Sequence, residues 1–125
     1  MNITMHDESD LTLSHFQRPD LEVNADAGTD VQYSSMQMFA TSLGLCTASV
    51  LARYARQFVA SIEDLSIRII WSYAEEPRRI DHIEMLIDWP TLPDDRLEAA
   101  EKAAEQCTLH NTLRNEPIIE TKIRG

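Results

Sequence analysis

The sequence predicts an α+β fold in a single domain spanning residues 1–125. Three observations carry this expectation. Short runs of period-two hydrophobicity come in groups, and do not alternate one by one with helices. A long, strongly apolar helical pattern follows the first group. A shorter helical pattern follows the second group, and a last alternating run ends the order. Strands gathered before helices favour α+β over a doubly wound parallel sheet.

The elements follow in order. Ile3 and Met5, Leu11 and Leu13, then Leu21 and Val23 alternate with polar neighbours, as half-buried strands do. Asp7-Glu8-Ser9-Asp10 reads as the turn between the first two runs, and Arg18-Pro19-Asp20 as the turn before the third. Residues 24–30 read as a loop. Ser34 or Ser35 is placed to cap a helix that runs to about Phe58. Phe39, Leu43, Cys46, Val50, Tyr54 and Phe58 recur at helical spacing and mark one face, and because Met38, Ala40, Leu45 and Ala48 are also apolar, burial on more than one side is expected. Leu65 to Tyr73 predicts a strand with Ile67, Ile69 and Trp71 inward and Arg68 and Ser72 outward. Ile80 to Trp89 predicts its antiparallel partner across a turn at residues 75–79. A second helix is expected from Pro93 or Asp94, with Leu97, Ala100, Ala104 and Cys107 as its stripe. Ile118 to Ile123 reads as a closing strand.

Composition narrows the function. Hydrophobic residues make up 43% of the chain, enough for a core. The net charge of −10 repels phosphate backbones and anionic lipid, so neither nucleic acid nor a membrane is an expected partner. No apolar run approaches the roughly 20 residues of a membrane span. The polar, acidic start lacks the pattern of a secretory leader. These features predict a cytoplasmic protein. Two cysteines cannot form a zinc site by themselves, and His6, His15, His82 and His110 lack metal-ligand spacing, so no metal or cofactor is expected.

Cys46 and Cys107 carry the chemistry on this reading. Each falls on the predicted apolar stripe of its own helix, so helix packing would bring the thiols together. The alternative is that both are small core residues. A cysteine attacks as thiolate, and burial disfavours that form, so a working thiol needs a nearby cation or donor. Arg53, two turns beyond Cys46, Arg18 from the preceding loop, and His110, one turn beyond Cys107, are the candidates.

The order of elements resembles the OsmC/Ohr family over nearly the whole chain. The likeness is clearest in two stretches. One is Ser35 to Leu45 running into Cys46-Thr47. The other is Leu92 through Cys107-Thr108-Leu109-His110-Asn111-Thr112-Leu113. The resemblance implies an intertwined homodimer, with antiparallel sheets from both chains wrapped around two core helices. It also implies a thiol peroxidase of oxidative-stress defence, with Cys46 peroxidatic and Cys107 resolving. The substrate would be a small organic hydroperoxide and the reductant a dithiol. The family's hydroperoxide reductases carry Pro-Glu ending ten residues before the first cysteine; this chain has Ser35-Met36. They carry an Arg in the first hairpin, where this chain has Asp7-Glu8-Ser9-Asp10, and a Pro after the second cysteine, where it has Thr108. The other reading is a non-catalytic module of the same fold that senses redox state or binds an apolar ligand.

Overall fold

The structure is a computed structural model that describes residues 1–16, 33–57 and 61–125. Arg18, the expected strand at Leu21 and Val23, the loop at 24–30 and Phe58 lie outside the described residues. Four strands form one antiparallel sheet in the order β1-β2-β3-β4: β1 (Asn2–Asp7), β2 (Asp10–Ser14), β3 (Ser66–Ala74) and β4 (Arg79–Asp88). Both hairpins follow the alternation. Ile3 pairs with Leu13 and Met5 with Leu11, while Ile67 faces Ile87 and Ile69 faces Met85. Leu13 pairs with Ile67 and Leu11 with Ile69, so the central strands β2 and β3 put four fully buried aliphatic side chains on one face. Trp71 joins them, and Arg68 and Ser72 point outward.

Helix α1 (Ser35–Ala55) crosses that apolar face. Ser34 caps it: its hydroxyl accepts from the Gln37 N–H at 3.2 Å, and the Gln37 side chain accepts from the Ser34 N–H at 2.9 Å. This reciprocal pair satisfies two of the amide groups that a helix start leaves open. Gln37 also donates to the Glu8 carbonyl at 3.2 Å, which fixes the helix start against the β1–β2 turn.

The buried face of α1 differs from the expected one. Ala40, Leu43, Gly44, Thr47, Ala48, Leu51, Ala52 and Ala55 are buried, whereas Phe39, Cys46, Val50 and Tyr54 are half-buried on its flanks. The physical reason is volume. The sheet already presents Leu11, Leu13, Ile67, Ile69 and Trp71, so the helix approaches closely only along small residues. Gly44 marks the tightest point. A Cβ there would lie 2.5 Å from Leu13 Cδ1 and 2.7 Å from Ile69 Cδ1.

The expectation that no segment is apolar enough to span a bilayer also needs correction. α1 has 21 residues and meets the length and composition for a span. Its polar residues before Arg53 are all uncharged, so they interrupt the apolar run without lowering its hydropathy far. Here α1 is the core helix, packed between the sheet and α2.

After β4 a 3-10 turn (Asp94–Arg96) leads into α2 (Leu97–Ala104), and a separate helix α3 (Thr108–Arg114) follows. Ala100 and Ala104 are buried as expected, but Leu97 is 54% exposed. No strand forms at Ile118 to Ile123. Ile118, Ile119 and Ile123 are 91%, 82% and 94% exposed, and the segment pairs with no strand among the described residues. Its pattern suits a strand, but no sheet edge among the described residues reaches it.

Candidate functional site

Cys107 does not lie inside a helix. The α2 helix ends at Ala104, the chain turns through Glu105 and Gln106, and Cys107 adopts extended backbone (φ −72°, ψ 151°) as the N-cap of α3. Its sulfur accepts the His110 backbone N–H at 3.2 Å. Ser, Thr, Asp or Asn ordinarily fills this position. Here a sulfur is the acceptor, which explains why the sequence pattern did not mark a helix start at Thr108. The cysteine is fully buried, together with Thr47 from α1.

Cys46 lies one residue before Thr47 and is half-buried. The two thiols are free, and Cys46 in the middle of α1 is near enough to Cys107 at the start of α3 to act on its ionisation. Thr47 Oγ1 lies 3.9 Å from Cys107 Sγ and 3.1 Å from the Leu43 carbonyl oxygen, which accepts from it. The Cys107 thiol sits above its ordinary value. Burial is the largest cause. The His110 N–H pulls it down, the hydrogen bond with Cys46 raises it, the Thr47 hydroxyl lowers it, and negative charge on Cys46 raises it again.

The expected supporting residues fare differently. His110 reaches Cys107, but through its backbone N–H; its ring Nδ1 is buried without a hydrogen-bond partner among the described residues. Arg53 is exposed in the last turn of α1, and no ion pair or hydrogen bond joins it to either thiol among the described residues. Arg18 lies outside the described residues. Thr47 was missed as a site residue. Its sequence signal is a hydroxyl in the small-residue stripe of α1, directly after Cys46.

A half-buried thiol against a fully buried, capped thiol, on an antiparallel sheet covered by a long apolar helix, defines an α+β domain with a dithiol site. The chain belongs to the OsmC family: the model of OsmC-like proteins matches residues 25–122. Its fold is similar to the crystal structure of a protein from Psychrobacter arcticus 273-4, described by its determination as an osmotic stress induced and detoxification response protein. That match has a TM-score of 0.59 and 18% sequence identity over 89% of this chain and 85% of the other. No curated protein matches the chain.

Proposed function

We propose that this chain is a thiol-dependent reductase of organic hydroperoxides, working as a homodimer in cytoplasmic stress defence. The observation that carries the reading is the meeting of Cys46 and Cys107 from two different helices. Their unequal exposure supports the division of roles. Cys46 is the half-buried thiol and is open to a small substrate, while Cys107 is fully buried and shielded from it. Family membership and the stress and detoxification name of the structural relative support the same setting.

The chemistry balances in three steps. The Cys46 thiolate attacks the terminal peroxide oxygen, the O–O bond breaks, and the departing alkoxide takes a proton to leave as an alcohol. Cys46 is then a sulfenic acid. The Cys107 thiolate attacks that sulfur, the S–O bond breaks, and the hydroxide takes a proton and leaves as water. An external dithiol reduces the disulfide with two electrons and becomes a disulfide itself.

The homodimer reading draws on segment 116–125. As a strand, it would put Ile119, Thr121 and Ile123 on one side and Glu120, Lys122 and Arg124 on the other. The β4 edge of a second copy offers exposed Leu86 and Ile87 beside Glu84 and Asp88, which complement Lys122 and Arg124.

A second reading is a non-catalytic redox module. One observation favours it: among the described residues no cation acts on the Cys107 sulfur. The test is thiol titration and intact mass after one equivalent of an organic hydroperoxide at neutral pH. Loss of both thiols with one intramolecular disulfide is expected. Cys46→Ser should stay unoxidised, and Cys107→Ser should hold a trappable sulfenic acid. Retention of both thiols in the parent chain would overturn the enzyme reading in favour of the module.

A further inference from the structure

Thr47 is the one buried polar residue among the described residues, and it is fully enclosed beside the dithiol. Its hydroxyl has a single hydrogen and two acceptors within reach. The Leu43 carbonyl at 3.1 Å already accepts the helical bond from the Thr47 backbone N–H, so its bond to the hydroxyl is a second one. The other acceptor, Cys107 Sγ at 3.9 Å, has the His110 N–H as its backbone donor. A neutral thiol competes poorly for the hydroxyl hydrogen. A thiolate competes well, because hydrogen bonds to ionised acceptors are about twice as strong.

We propose that Thr47 is a positioning residue for Cys107. Its hydroxyl hydrogen turns from the Leu43 carbonyl to the Cys107 sulfur when that sulfur becomes an anion, and it holds the anion against Cys46 together with the His110 N–H. The switch needs only rotation about the hydroxyl bond; no heavy atom leaves the packed core. It requires no cation, which suits a site where no Arg or Lys is seen to reach the sulfur among the described residues. This inference rests on the reading of Cys107 as the resolving thiol. In that reaction the Cys107 anion attacks the Cys46 sulfenic sulfur, the S–O bond breaks, and the hydroxide leaves as water with one proton.

The groups around Cys107 make the test clean. From α1 it meets Cys46 and Thr47; its own helix supplies the His110 N–H; α2 presents the apolar Ala100 and Ala104 to the core. Among the described residues, Cys46 is the one group whose charge acts on it. With Cys46 changed to Ala, Cys107 is the chain's single thiol, so ultraviolet thiolate absorbance reports its ionisation after subtraction of a variant lacking both cysteines.

In that background Thr47→Val should raise the ionisation midpoint by roughly half to one pH unit, the size expected for one lost hydrogen bond. Thr47→Ser should restore it. Because Val matches Thr in shape, thermal stability should hold or rise, which a purely packing role would not separate from the midpoint. Thr47→Ala, which removes the hydroxyl without a branch, gives the same comparison should Val fold poorly. Equal midpoints in Thr, Val and Ala variants, or no restoration by Ser, would overturn the proposal. This readout needs no peroxide, so it stands apart from failure of the reductase reading. With Cys46 present, Thr47→Val should leave sulfenic acid formation unchanged but slow disulfide closure at neutral pH, with recovery as pH rises. Equal closure rates at all pH values would also overturn it.

Discussion

Strand β3 and segment 116–125 share a type of sequence and have opposite fates. Both carry isoleucines among polar residues. Ile67 and Ile69 of β3 are fully buried between α1 and two neighbouring strands, whereas Ile118, Ile119 and Ile123 stand almost fully in solvent. Period-two hydrophobicity therefore states that a segment needs a partner on one face. It does not state which chain supplies that partner. β3 finds α1 by packing within its own chain. The later segment leaves α3 and joins no sheet edge among the described residues.

The largest expected effect tests that contrast directly. Deleting residues 116–125, or changing Ile119 and Ile123 to Lys, should convert the proposed homodimer to monomers at micromolar concentration in sedimentation or light scattering. Each isoleucine buried on pairing would contribute about 1.5–3 kcal/mol, so losing two or three per copy shifts association by orders of magnitude. An unchanged dimer mass would remove the segment from the interface.

A smaller effect probes the side that is complete within one chain. Gly44→Ala pushes a methyl group against Leu13 and Ile69 at less than contact distance. Overpacking of this kind costs about 1–3 kcal/mol, or a melting temperature lower by roughly 5–15 °C. The oligomeric mass should not change, since the contact lies inside each copy. Unchanged melting would mean that α1 and the sheet can separate without loss.

The smallest effect lies between the two regions along the chain, at Cys107. Its thiol is raised in the folded chain, so the unfolded chain loses its proton first as pH rises. Stability from this group is complete below the ordinary thiol value of 9.0 and falls as pH climbs through the higher folded value. Denaturant titrations should show this alkaline decline in the parent chain and a shallower one in Cys107→Ala. Equal slopes would contradict the burial of the thiol.

Much of the sheet was legible because both hairpins carry turn residues, the pairs Ile3 and Met5, and Leu11 and Leu13, alternate with polar neighbours, and Ile67 and Ile69 flank Arg68. The start of α1 was legible because Ser34 and Gln37 form a capping pair whose side chains act locally. The face of α1 was not, because side-chain size stood in for burial: Phe39 and Val50 looked like core, yet Ala40 and Gly44 hold that place. The break before α3 was hidden because a sulfur fills the cap. The cysteine pair was legible as chemistry, whereas Thr47 was not, since its importance depends on a helix that starts sixty residues later.

The small-residue stripe of α1 inverts the usual relation between size and tolerance to change. At Phe39, Cys46, Val50 and Tyr54 the side chains are only half-buried, and there is space at the flank to absorb a different shape. At Gly44 one more carbon would press on Leu13 Cδ1 and Ile69 Cδ1, so those side chains would have to shift. A randomised library across this helix would therefore hold its glycine while its half-buried aromatic positions drift. Anyone reshaping α1 around the dithiol site has more freedom at the half-buried large residues than at Gly44.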